Sequence, residues 1–121
     1  VTDNTVTGML SLGATLENIA AVVGPSIGKH SYEVGSEFHE HFITEDESNG
    51  AYFLATGSDG KYHFDIQAYV ANRLKRFGVG AISCITIDTC ANENRFFSYR
   101  RSCLRGERYY GRQLSSITLT S

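Results

Sequence analysis

The sequence predicts an α/β (α+β) fold, layered mixed β-sheets flanked by helices, and three observations lead there. Helical periodicity alternates with β-branched, strand-like runs along the chain; the length suits one domain; and the composition is that of a packed core. Of 121 residues, 41% are hydrophobic and 20% charged, with 12 Gly, one Pro and no Trp, which sets the chain apart from disordered and fibrous classes. A chain of this size buries roughly 65–70% of the surface its unfolded form exposes, enough for one core.

The elements follow in order. Asp3 or Asn4 suits an N-cap for a helix with apolar positions Val6, Met9 and Leu10 and a stop at Gly13, although Gly8 weakens it. The apolar run Asn18 to Val23, closed by Gly24-Pro25, predicts a fully buried strand. Ser36 is placed to cap a helix on which Phe38 and Phe42 share a face at spacing i, i+4. Glu45 to Gly50 reads as an exposed acidic loop, Ala51 to Ala55 as a short segment, and Ser58-Asp59-Gly60 as a turn. From Asp65 as N-cap, the residues Ile66, Tyr69, Val70, Leu74 and Phe77 fall at helical spacing. Lys75 and Arg76 suit the last turn of that helix and Gly78 its stop. Ala81 to Ile87 and Gln113 to Thr120 carry strand patterns, with an aromatic and basic stretch, Arg95 to Arg112, between them.

Charge and cysteine usage narrow the function classes. With 11 Lys+Arg against 13 Asp+Glu the net charge is −2, which provides no general electrostatic footprint for nucleic acid. No run approaches the roughly 18 apolar residues of a membrane span, and the start lacks the basic and apolar blocks of a signal peptide. The expectation is a cytoplasmic protein with neither nucleic acid nor membrane as partner. Cys84, Cys90 and Cys103 cannot all pair within one chain and lack zinc-ribbon spacing, so reduced and mostly buried thiols are expected.

Several residues could carry chemistry, each with a plain structural reading beside it. Gly24-Pro25-Ser26-Ile27-Gly28 follows a predicted strand, where glycines let backbone amides approach a phosphate, or simply make a turn. His39 and His41 diverge on their predicted helix and His30 and His63 are scattered, so solvated histidines are expected rather than a metal site. Cys90 suits a nucleophile only if a base approaches it, and otherwise a buried thiol. Phe96-Phe97-Ser98-Tyr99-Arg100-Arg101 joins aromatic rings to guanidinium groups, a combination that holds an aromatic ring and an anion, or else divides into core and solvated residues.

Three blocks in sequence go further: Ala21 to Gly28 with Tyr32-Glu33-Val34-Gly35, the helix opening Phe64-Asp65-Ile66, and Phe96 to Arg101 with Gly111-Arg112. On these the chain resembles the C-terminal half of the YfiH family, the bacterial laccase-domain proteins also called multicopper polyphenol oxidoreductases and purine nucleoside phosphorylases. The resemblance makes residues 1–121 the C-terminal part of a single laccase-like domain. It implies an enzyme that cleaves purine nucleosides such as adenosine and inosine with phosphate, with adenosine deaminase activity also ascribed to it, and zinc as cofactor. It also implies zinc ligands, two histidines and a cysteine, in the first half of such a protein, one of them in a His-Ala-Gly-Trp-Arg-Gly motif that has no counterpart here. Ser26, Ser98, Tyr99 and Arg100 are then the expected substrate contacts, with no catalytic or metal residue assigned within the chain. The isolated chain is expected to be inactive, with the missing N-terminal half as a partner and a tendency to self-associate. Copper-dependent phenol oxidation ranks below phosphorolysis, because copper catalysis needs more histidine ligands than four scattered ones. A non-catalytic folding or interaction module and a cysteine hydrolase at Cys90 are the remaining readings.

Overall fold

Two apolar patterns of different period organise the chain around two small sheets that share one helix. The computed structural model describes residues 1–120. Helix α1 (Thr2–Ser11) is followed by strand β1 (Ala20–Val23), which pairs in parallel with β5 (Ala81–Cys84), Ala20 opposite Ala81 and Val23 opposite Cys84. Between them in sequence lie β2 (Glu33–Gly35), β3 (Phe53–Ala55) and β4 (Lys61–Phe64), an antiparallel sheet in the order β2-β4-β3, with helix α2 (Ser36–Glu45) connecting β2 to the later strands. Helix α3 (Ile66–Phe77) leads from β4 to β5, and a short α4 (Tyr99–Leu104) follows.

Helix α3 has the clearest local cause. The Asp65 carboxylate accepts from the Ala68 amide at 3.0 Å, satisfying an amide that has no partner within the helix. Gly78 ends the helix at φ 99°, a left-handed conformation that costs glycine nothing. Its Leu74 and Val70 join Val6, Ile19, Val23 and Val79 in the core beneath the parallel pair. On its other side Tyr69 meets Phe42 at 5.0 Å and Phe64 at 5.8 Å between ring centroids. Phe64, 1% exposed, lies at the centre of this second core, stacked on Phe53 at 4.6 Å and edge-on to Phe38 at 5.3 Å. The Phe38 and Phe42 pair thus faces inward as the i, i+4 spacing requires.

Several sequence expectations change. The first helix is capped by Val1, not by Asp3 or Asn4, and Ser36 is the first residue of α2 rather than its cap, a place taken by Gly35. Asp3 instead pairs with Arg73 of α3. The strand expected from Asn18 begins at Ala20, and it is not fully buried: Val22 is 45% exposed, because only one face of a two-stranded sheet is covered by helices. The expected acidic loop winds into a 3-10 turn, Glu47–Tyr52, with Asn49 buried and its amide donating to the Phe42 carbonyl. The strand expected to reach Ile87 stops at Cys84, and 113–120 forms no strand among the described residues, since no ladder receives it. Cys84 and Cys103 are exposed and Cys90 half-buried, so the thiols are not mostly buried.

Candidate functional site

The carboxyl ends of parallel strands, where chains diverge into loops, form the usual crevice for ligands in α/β sheets. Beyond Val23 the chain makes the Gly24 to Gly28 turn; beyond Cys84 it runs through Ile85 to Asp88, and the two segments meet in a parallel bridge between Ser26 and Asp88. The Thr89 amide donates to the Ser26 carbonyl at 2.9 Å. The Asp88 carboxylate accepts from the Ser31 hydroxyl at 2.5 Å and from the Cys90 and Ala91 amides at 2.8 and 3.3 Å. Gly28 is required here: a Cβ would stand 2.8 Å from the Asp88 side chain. Burial pushes the Asp88 carboxyl up, but the hydrogen bonds from Ser31, Gly28, Cys90 and Ala91 together outweigh it and hold it below the ordinary aspartate value.

Beside this junction opens a cavity of about 450 Å³, lined by Gly28, Lys29, His30, Cys84, Thr86 and Asp88 and by the first residues of α3. Gln67 at that helix start donates to the Ile85 carbonyl at 3.2 Å, tying the helix to the loop. Among the described residues neither Lys29 nor His30 pairs with a carboxylate, which leaves two donors free at the rim.

The aromatic and arginine block stands behind the junction. Buried Ser98 caps α4, its hydroxyl accepting from the Arg101 amide at 3.3 Å. Arg101 donates to the Thr89 and Cys90 carbonyls at 3.0 Å each and to that of Phe96 at 2.8 Å, fastening the 89–90 loop to the block. Arg100 donates to the Glu33 carbonyl at 2.9 Å and lies 5.5 Å from the Tyr32 ring centroid. Tyr99 is 63% exposed and packs on Tyr110 at 4.7 Å. Of the four residues expected to touch substrate, Ser26 therefore belongs to the junction. Ser98 and Arg100 hold backbone, Tyr99 faces outward, and Ser26 is linked to the block through the 88–90 loop and Arg101. Sequence reasoning missed Asp88 and Lys29 and named Arg101 only within the aromatic and arginine block; for Asp88 a signal existed, an Asp followed two residues on by an amide whose donation it can turn back to accept.

The histidines do not converge. His30 and His63 approach ring to ring at 6.1 Å, while His39 stacks on Tyr62 at 4.1 Å. Nδ1 of His63 is buried without a partner, yet no group of three or more His, Cys, Asp or Glu side chains among the described residues is placed to hold a metal ion. These residues by themselves do not fit a metal centre.

The arrangement defines an α/β protein whose candidate ligand crevice lies where β1 and β5 end. The chain belongs to the multi-copper polyphenol oxidoreductase laccase family, whose model matches residues 1–120. It is 35% identical over 119 residues to a purine nucleoside phosphorylase of Rickettsia prowazekii, covering 98% of this chain and 49% of that protein. Against the purine nucleoside phosphorylase YfiH of Escherichia coli the identity is 39% over 90 residues, 74% of this chain and 36% of the relative. The chain thus spans about half the length, or less, of these curated relatives. Among solved structures, a Neisseria meningitidis protein superposes with a TM-score of 0.71 at 27% identity, over 83% of this chain and 41% of its own. Bacillus licheniformis YfiH, at 24% identity, shares the fold with a TM-score of 0.75 over 88% and 40%.

Proposed function

We propose that this chain is the substrate-side half of a zinc-dependent purine nucleoside phosphorylase that cleaves adenosine or inosine with phosphate. The observation that carries the reading is the cavity at the ends of β1 and β5, where Lys29 and His30 stand free beside a turn and loop locked by Asp88. In phosphorolysis a phosphate oxygen bonds to C1′ of the ribose as the bond from C1′ to N9 breaks, and the purine leaves with the bonding pair and takes up a proton. Lys29 and His30 suit the phosphate, and Ser26 faces the same junction. Asp88 and Arg101 are positioning residues, because they hold the 88–90 loop beside the crevice, while Ser98 caps the helix that carries Arg101 and Arg100 holds the Glu33 carbonyl. The ligands of the zinc in this reading belong to the other half of such a protein.

The test is chromatographic detection of adenine or hypoxanthine released from adenosine or inosine with phosphate. The 121-residue chain alone is expected to release none. Fused to the remaining half from a relative it is expected to release base, and Lys29→Ala is expected to raise the phosphate KM about tenfold with little change in kcat. Inactivity of the fusion, or a Lys29→Ala variant with unchanged phosphate dependence, overturns the reading. A non-catalytic interaction module is favoured by one observation, the two strand edges of β1 and β5 that no described strand covers.

A further inference from the structure

The stretch from Glu93 to Gly111 borders a second cavity, open to solvent. It measures about 500 Å³, and its lining includes Asn94, Arg95, Phe96, Phe97, Tyr109 and Tyr110. Two of its rings have no aromatic partner among the described residues and face solvent, Phe97 at 56% and Tyr109 at 80% exposure. The other two are engaged: Arg95 lies over Phe96 at 5.4 Å, and Tyr110 packs on Tyr99 with Arg112 at 5.6 Å. The walls are fastened to each other. A Cβ on Gly111 would come within 2.3 Å of the Phe97 ring, so the ring lies directly on that backbone, and the Phe97 amide donates to the Gln113 side chain at 2.8 Å.

The polar groups of the cavity divide into engaged and free. Glu93 is held by Arg105 through two hydrogen bonds at 2.6 and 2.7 Å, Glu107 lies 3.8 Å from the same guanidinium, and Arg101 binds three carbonyls. Among the described residues the Asn94 amide makes no hydrogen bond and Arg95 pairs with no carboxylate. Exposed aromatic rings, one carboxamide without a hydrogen bond and one guanidinium without a carboxylate partner are the groups that read a flat base with hydrogen-bonding edges and an attached anion. A carboxamide can pair with the N6 and N7 edge of adenine, a guanidinium takes a phosphate, and aromatic rings stack on the base.

We propose that this cavity is a binding site for an adenine nucleoside monophosphate, with the base against Phe97 and Tyr109, its edge on Asn94 and its phosphate on Arg95. The site is separate from the phosphorolytic crevice, and the proposal does not rest on the chain being part of a phosphorylase.

Calorimetric titration of adenosine monophosphate, adenosine and inorganic phosphate into the 121-residue chain tests it. Saturable binding of the monophosphate is expected, about tenfold tighter than adenosine, with no measurable binding of phosphate alone. Arg95→Ala is expected to reduce the monophosphate to the affinity of adenosine while leaving adenosine unchanged, and Asn94→Ala to weaken both about tenfold. Both side chains are solvent-facing, and circular dichroism of the variants verifies the fold. Lys29→Ala, in the other cavity, is expected to alter neither affinity. Absence of saturable binding, binding indifferent to both Asn94→Ala and Arg95→Ala, or binding lost in Lys29→Ala overturns the proposal, and none of these outcomes bears on whether the longer protein phosphorolyses nucleosides.

Discussion

Replacing Asp88 by Ala removes the group that joins the turn after β1 to the loop after β5, and the cost follows from its hydrogen bonds. Two are short, from the Ser31 hydroxyl at 2.5 Å and the Cys90 amide at 2.8 Å, while the one from Ala91 at 3.3 Å adds little. At about 1.5 kcal/mol for each bond to a charged acceptor the two contribute about 3 kcal/mol, and about 2 kcal/mol once discounted for the water that reaches this half-buried carboxylate. For a chain of this length that is a fall in Tm of roughly 8 °C. Asp88→Asn keeps an acceptor and a donor in place and is expected to lose about half as much. The pH dependence has a definite sign. Asp88 has a folded pKa below its ordinary value of 3.8, so its contribution is fully present above that value and is lost as the pH falls through the folded one. The stability gap between wild type and Asp88→Asn should therefore be full at neutral pH and close in acid, as the pH falls below the ordinary aspartate value and through the lowered folded one. Thermal unfolding followed by circular dichroism at neutral and acid pH reads both effects. An Asp88→Ala variant within about 0.5 kcal/mol of wild type at neutral pH, or a gap for Asp88→Asn that persists unchanged in acid, refutes the assignment of Asp88 as the clasp.

Three further outcomes are expected. Phe64→Ala empties the centre of the aromatic core, where the ring is 1% exposed, and should cost about 3–5 kcal/mol by denaturant titration; a loss below about 1 kcal/mol would show that this core is not packed as described. Arg73 holds Asp3 and Glu45, joining α3 to α1 and to the end of α2, but its side chain is 37% exposed, so Arg73→Met should cost no more than about 1 kcal/mol. The hydrogen bond from Arg73 holds the Asp3 carboxyl below 3.8, so that cost should be present at neutral pH and vanish as acid protonates Asp3, and a penalty equal at both would be contrary. With open edges on β1 and β5, and Leu114, Ile117 and Leu119 at 91%, 70% and 98% exposure, the isolated chain should self-associate in light scattering; a monodisperse monomer across the micromolar range would count against it.

What was legible in the residues themselves was local. Asp65, the periodic apolar series and Gly78 each act within a turn or two of backbone, so α3 appears where they place it. The Phe38 and Phe42 face and the start of β5 at Ala81 were legible for the same reason. Strands β2 and β4, three and four residues long, were not, since so short a segment extends only because another strand accepts its hydrogen bonds. Residues 113–120 show the converse, a strand pattern with no ladder to join. The aromatic and arginine block announced chemistry by composition, but composition does not say which guanidinium is free. Packing engages Arg101 with three carbonyls and Arg100 with Glu33, while leaving Arg95 without a carboxylate partner among the described residues. Likewise the sequence determined that a glycine-rich turn follows β1, whereas only the tertiary structure decided that Asp88, 57 positions from Ser31, closes it. Propensity and capping depend on neighbours a few residues away, but the partners of a charge are chosen by contacts that exist only after the chain has closed on itself.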